Sequence, residues 1–237
     1  IEDLERRGDG VAAFIADSLF SSDGIFSHPA GVLAPVADVV RKAGGLFIAD
    51  EVQSGFGRSG EALWGYQRHG VSPDIVTMGK PMGNGYPVAA VALTPETIAQ
   101  FGRDTRYFNT FGGNSVAIAA AQATFDVIRD EKLQENADKV GARIQSGLRE
   151  LAKRYDIIGD VRGAGLYIGA EMIAGNGDTS PNGLAATQIV NGLRELRILI
   201  SATGFNSNVL KIRPPLVFSP SDADRLLEGI ETVLKSL

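Results

Sequence analysis

The sequence predicts an α/β fold with a largely parallel sheet, followed by a smaller α+β domain, and three observations carry that prediction. Short apolar segments bounded by Gly, Pro or Asp alternate with helical or loop segments over the first half of the chain. From Asn114 the apolar spacing becomes helical and stays so through two long runs. Further strand candidates follow, and the chain closes on a strongly signalled helix. With 237 residues, 44% of them hydrophobic and 22% charged, there is enough chain for one large domain or two smaller ones.

Taken in order, residues 2–7 are a charged run, and a strand-like segment follows at once over 11–16. That abrupt start leads us to expect a piece of something longer. Segments 12–16, 45–49, 74–77 and 88–93 are apolar and short, the pattern of strands buried on both faces. In such sheets ligands meet the carboxyl ends of the strands, and Asp50 and Lys80 both fall just past such ends.

Val116, Ile118, Ala119, Ala123 and Ile128 keep helical spacing, and so do Leu133, Ala137, Val140, Ile144, Leu148 and Leu151, which together predict a long helical connector. Segments 157–162 and 165–173 follow as strands, with the glycines between them read as a tight hairpin. A loop rich in Gly, Asn and Asp spans 175–183 and leads into another helix. Strands are expected near 198–201 and 209–212. The last helix has Ser219 as N-cap, Pro220 at its first position, Asp222 three residues after the cap, and Leu226, Leu227, Ile230, Val233 and Leu234 inward. The expected division is 1–127 and 128–237.

Composition narrows the function classes. The 23 basic and 28 acidic residues give a net charge of −5, so the electropositive surface of a nucleic-acid binder is missing. There is no cysteine, and the only histidines are His28 and His69, which excludes a disulfide scaffold and leaves no metal site of the Cys/His kind to propose. No stretch approaches the roughly 18 consecutive apolar residues of a spanning helix, so no membrane partner is expected. A soluble, cytoplasmic protein is the expectation.

Three positions can do chemistry. Lys80 stands between Gly79 and Pro81 directly after a strand, where an amine can be partly desolvated and attack an aldehyde to form a Schiff base; the alternative is a loop lysine in water. Asp50, at a strand end one α/β unit earlier, needs a cationic or hydrogen-bonding partner, which a pyridinium nitrogen would supply; the alternative is a turn cap. Thr110 precedes a helix whose first N–H groups favour a phosphate, or it is simply a loop threonine. Pro81 after Gly79-Lys80, with Asp74 where a phosphate loop needs glycine, rules out a Walker site.

Five blocks, in order over nearly the whole chain, resemble the class III aminotransferases, pyridoxal phosphate (PLP) enzymes of fold type I. They are Ala-Asp-Glu-Val-Gln-Ser-Gly-Phe-Gly-Arg, Asp-Ile-Val-Thr-Met-Gly-Lys-Pro-Met-Gly-Asn-Gly, Phe-Asn-Thr-Phe-Gly-Gly-Asn, Gly-Asp-Val-Arg-Gly-Ala-Gly-Leu and Val-Leu-Lys-Ile-Arg-Pro-Pro-Leu. The resemblance implies that 1–127 is the carboxyl part of the PLP-binding large domain and 128–237 the small domain. It implies that Lys80 carries the internal aldimine and shuttles the proton at Cα, that Asp50 pairs with the pyridine nitrogen, that Val52 packs on a ring face and that Gln53 reaches the 3-oxygen. Thr110 would contact the cofactor phosphate of a neighbouring subunit, which implies a homodimer with shared sites. The Gly/Ser phosphate cup and the aromatic residue stacked on the ring have no counterpart here, so only the carboxyl-terminal half of the family pattern is present.

The substrate positions depart from the commonest pattern. Where amino-acid transaminases carry an arginine three residues before the Pro-Pro pair and a switch glutamate, this chain has Lys211 and Ser22, and it has Asp17 where glutamate is common. A lysine cannot make the bidentate fork that grips a carboxylate. Together with the Ala-Leu-Trp-Gly-Tyr-Gln segment, Lys211 makes the wording closest to the ethanolamine-phosphate and phosphohydroxylysine phospho-lyase branch. The reading expected first is amino-group transfer from a small primary amine or amino acid. The alternatives are phosphate elimination from an amino-alcohol phosphate, with Lys211, Arg213 or Arg58 as cations, and a non-catalytic piece serving dimerisation or regulation.

Overall fold

The computed structural model describes residues 1–237. They form two compact units, the first made of Ile1–Ser18, Pro29–Phe56 and Trp64–Glu131, the second of Leu19–His28, Gly57–Leu63 and Lys132–Leu237.

In the first unit a short helix α1 (Glu2–Arg6) precedes β1 (Ala13–Asp17), α2 (Leu33–Lys42), β2 (Leu46–Asp50), β3 (Ile75–Met78), β4 (Ala90–Leu93), α3 (Pro95–Asp104) and α4 (Ser115–Asp130). The sheet order is β1-β2-β3-β4, parallel across the first three strands and antiparallel at β4. The amphipathic helix α2 buries Leu33, Ala37 and Val40 and packs on β1 and β2. Alternation then divides the strands: Ala16, Phe47 and Ala49 are buried, whereas Ile15 and Val91, on the other face, are each 57% exposed. The expectation of strands buried on both faces is therefore corrected. One helix can cover one face, and the opposite face, which also carries Asp50 and Thr77, stays open.

The helical connector is two helices, α4 and then α5 (Leu133–Ala152), with Lys132 at φ +52 between them. All six apolar positions expected on α5 are buried, but on α4 the buried residues are Ala117 and Ile128, and Val116 and Ile118 are exposed. Regular spacing marks the apolar side of a helix; it does not supply the surface that covers it.

The second unit continues with β5 (Ile158–Ala164), β6 (Tyr167–Gly175), β7 (Asp178–Pro181), α6 (Gly183–Glu195), β8 (Ser201–Thr203), β9 (Val209–Ile212) and α7 (Pro220–Leu234). Its antiparallel sheet runs β5-β6-β9-β8, with β7 beside β6. The hairpin expected from the glycines is there: Ala164 pairs with Tyr167 across Gly165 and Leu166, with Gly165 at φ +51. The loop expected over 175–183 is instead the turn of a second hairpin, with Gly175, Asn176 and Gly177 all at positive φ, followed by β7. Its residues, Asp-Thr-Ser-Pro, are too polar to announce a strand. Ile144, Leu148, Ile168, Met172, Ile189, Leu193, Leu210, Ile212 and Ile230 join α5, α6, α7 and one sheet face in a single core. On the other face Leu19 and Ile25 pack with Ala164, Tyr167 and Val209. Ser219 and Asp222 form the expected capping box on α7.

Candidate active site

The carboxyl ends of β2 and β3 bring the two charged candidates to one edge. Asp50 is the last residue of β2 and pairs in register with Thr77 of β3, whose hydroxyl donates to Asp50 Oδ1 at 3.2 Å. The backbone N–H of Val52 donates to the same oxygen at 3.0 Å. Both donors converge on Oδ1, which leaves Oδ2 able to accept from a ligand.

Two residues past β3, Lys80 opens a 3₁₀ turn, Lys80–Gly83, at φ +38. A non-glycine residue in this region costs about 1–3 kcal/mol, and such strain collects at functional positions. A Cβ on Gly79 would lie 3.8 Å from Val52 Cγ2, so the residue before Lys80 touches the segment that follows Asp50. Lys80 is exposed in this chain, the second of the two readings that its position in the sequence allows. The turn lifts Lys80 beyond the strand end, past the part of the sheet that α2 covers.

Val52 and Gln53 are half-buried in the turn after β2. Thr110 is exposed in the loop before α4; there Asn109 Oδ1 accepts from Phe111 N and Gly112 N, and Asn114 Oδ1 caps the helix through Ala117 N at 3.0 Å. The helix N-terminus thus already has one acceptor from its own chain.

Beneath Asp50 lies a carboxylate that sequence reasoning passed over. Glu51 is fully buried: Oε1 accepts from Ser18 Oγ at 2.6 Å and Tyr66 N at 2.8 Å, Oε2 from Gly65 N at 2.7 Å and Ser54 Oγ at 3.1 Å. Burial raises its pKa above the ordinary 4.5, outweighing the hydrogen bonds, and Tyr66 is raised as well, by its own burial first and then by the charge of Glu51. Ser18 O accepts from His69 Nε2 at 2.8 Å, while His69 Nδ1 accepts Gly31 N at 3.2 Å, an arrangement that places the proton on Nε2. The signal available was the Asp-Glu pair itself, two carboxylates in succession where an apolar strand ends.

The remaining candidates lie in the second unit. Lys211, on β9, holds its Nζ 5.6 Å from the Tyr167 ring centroid. Ser22 is exposed, and its carbonyl accepts from Thr203 Oγ1 at 3.0 Å. Arg58, weighed as a phosphate cation, spends its guanidinium on the carbonyls of Leu166 and Pro214; burial first, and then the nearby Arg213, lower its pKa to about 10. It is a clamp within the second unit rather than an open cation.

These residues fit a protonated pyridine ring whose aldehyde faces a lysine: an acceptor oxygen, an amine and an apolar side chain at one sheet edge. A family model described as aminotransferase class-III matches residues 1–234. The alanine–glyoxylate aminotransferase 2-like protein of Drosophila melanogaster is 45% identical over 233 residues, 98% of this chain and 47% of that protein. The ethanolamine-phosphate phospho-lyase homolog 1 of Caenorhabditis elegans is 42% identical over 237 residues, 99% of this chain and 51% of that one. Among solved structures, a phospholyase from Arthrobacter in complex with phosphoethanolamine superposes with a TM-score of 0.97 at 46% identity, covering 100% of this chain and 56% of that chain. The chain thus spans about half the length of the curated relatives it matches.

Proposed function

We propose a reaction for this chain on one established premise: it belongs to the class III aminotransferases, a PLP-dependent family. The proposed reaction is phosphate elimination from a small amino-alcohol phosphate, with PLP held through Lys80. Bound there, PLP supplies the electron sink for negative charge on the substrate carbon that bears nitrogen. The observation that supports the cofactor assignment is Asp50, whose Oδ1 is held by Thr77 and Val52 while Oδ2 remains able to accept, at the same sheet edge from which Lys80 follows β3.

The chain's own groups divide the work. Lys80 would hold PLP through its aldehyde carbon, and once the substrate's own amine had replaced it there, the freed Lys80 amine would take the proton from the substrate carbon. Asp50 Oδ2 accepts the ring N–H and keeps that nitrogen protonated. Val52 would pack on the ring, Gln53 would reach its 3-oxygen, and Thr110 would serve the cofactor phosphate of a second subunit in a homodimer. On the neighbouring substrate carbon the C–O bond breaks, and its electron pair leaves with the phosphate.

Two observations favour elimination over amino transfer. Lys211 is a point charge suited to a phosphate and lacks the planar fork that an α-carboxylate rewards. The Arthrobacter relative is described as a phospholyase and was solved with phosphoethanolamine. The aminotransferase 2-like relative supports amino transfer as the second reading. The test is to incubate the holoenzyme with phosphoethanolamine and no amino acceptor and to follow phosphate. Multiple-turnover release is expected; turnover only when a 2-oxo acid is added would replace elimination by transamination. Borohydride reduction with peptide mapping should place the cofactor on Lys80, and a label on any other lysine would sink the site assignment.

A further inference from the structure

Asp50 ends β2 on the open face with Thr77, and Glu51, the next residue, just past the strand, is fully buried. A buried carboxylate with no cation beside it is costly, and this one is met by four neutral donors. Those donors come from separate points of the chain: Ser18 just past β1, Ser54 in the turn after β2, and Gly65 and Tyr66 at the start of the 3₁₀ turn Gly65–His69. The Glu51 backbone N–H donates to Thr77 O at 2.9 Å, on the residue whose hydroxyl holds Asp50 Oδ1, and Glu51 O accepts from Gly55 N at 3.1 Å. Only an ionised carboxylate offers acceptors at both oxygens with no donor of its own; a glutamine would turn an NH₂ group toward backbone N–H groups.

We propose that Glu51 is the positioning residue of the cofactor site: by tying the end of β2 to three other segments it fixes where Asp50 Oδ2 points and the course of Val52 and Gln53. This rests on the assignment of Asp50 to the ring nitrogen. Glu51 faces away from that site and touches neither cofactor nor substrate, so its effect passes through the backbone on either side of it. An apolar residue of similar volume would fill the space and leave the four donors unpaired.

The experiment has one arm with cofactor and one without. In the holoenzyme carrying PLP labelled with ¹⁵N in its ring, the nitrogen shift reports ring protonation. Asp50→Asn should abolish the protonated signal, and Glu51→Gln should lower the proton's affinity at least tenfold while borohydride still traps the cofactor on Lys80. An unchanged ring titration in Glu51→Gln overturns the proposal. In the cofactor-free chain, hydrogen exchange at the Val52 amide reads the Asp50 carboxylate directly, because that N–H donates to Oδ1. Glu51→Gln should speed that exchange at least tenfold, and Ser18→Ala, which removes one donor and keeps the charge, by a smaller factor of the same sign. If Glu51→Gln does not fold, Ser18→Ala decides: faster Val52 exchange supports the positioning role and unchanged exchange rejects it. Wild-type protein that takes up no PLP on Lys80 would defeat the proposed function, while the exchange arm would still decide on Glu51.

Discussion

The two units treat their apolar faces differently. The second packs α5, α6 and α7 on one face of its sheet and seats Leu19 and Ile25 on the other, so its strand pattern is satisfied by its own residues. The first lays α2 on one face and leaves Ile15 and Val91 on the open side, with Tyr107, Phe108 and Phe111 exposed in the loop before α4. Beside its buried apolar residues it holds a buried carboxylate, Glu51, met by four donors. A strand pattern states which residues want cover and is silent on what provides it. The candidate cofactor groups sit in the first unit, on the sheet face that this half-length chain does not itself cover.

The sharpest way to break this contrast is Gly141→Ala in α5. A Cβ there would stand 2.0 Å from Gly165 O, a backbone atom of the hairpin turn that cannot swing aside. The expected loss exceeds about 4 kcal/mol in denaturant unfolding. A variant as stable as wild type would mean the helix does not rest on the hairpin, and the second unit would lose its claim to be the tightly closed one.

Next in size is a matched pair. Ile144→Ala, at a fully buried position of α5, should cost about 2–5 kcal/mol, whereas Phe111→Ala, where the ring is 80% exposed, should change the stability of this chain by no more than about 0.5 kcal/mol. Comparable losses at the two sites would show that the first unit's aromatic residues are covered after all. Helix caps sharpen the comparison from the other side. Ser219→Ala in the second unit and Asn114→Ala in the first should each cost about 1 kcal/mol, since a cap satisfies N–H groups of its own helix whatever packs nearby. Unequal losses in thermal melts would mean that the closure of a unit reaches its surface caps.

The smallest effect is a slope with pH. Glu51 titrates above its ordinary 4.5 in the folded chain because burial outweighs the hydrogen bonds it accepts. Folded protein therefore holds this proton more tightly than unfolded protein. The stability Glu51 contributes is complete below 4.5 and declines as pH rises through the folded value. Unfolding midpoints of wild type and Glu51→Gln across that range should show the wild-type advantage shrinking as pH rises. An advantage that grows would mean the four donors outweigh burial.

Much of this architecture is legible where the signal is local. The strand 209–212, the inward face of α5, the capping box of Ser219 and Asp222 and the hairpin at Gly165 each depend on residues a few positions apart, and each is found where the sequence places it. Asp50 and Lys80 could be chosen because strand ends are predictable and charged residues at them are few. Other features involve partners far along the chain. Arg58 looks like a spare cation until it is seen clamping Leu166 and Pro214, more than a hundred residues away. Residues 19–28 and 57–63 belong to the second unit although they interrupt the first.

The sequence by itself determined the family, the α/β-then-α+β order of its main elements and the candidates Lys80 and Asp50, because periodicity, caps, turns and motif spacing are written in neighbouring residues. Only the tertiary structure decided that Glu51 lies buried next to Asp50, that Thr77 and Val52 hold one oxygen of Asp50 and leave the other open, and that Lys80 stands exposed, at positive φ, where a 3₁₀ turn opens. The physical reason is that burial and hydrogen-bond partnership depend on which distant segments the folded chain brings together. A carboxylate becomes a surface charge, a clamp or a cofactor ligand according to the donors that surround it.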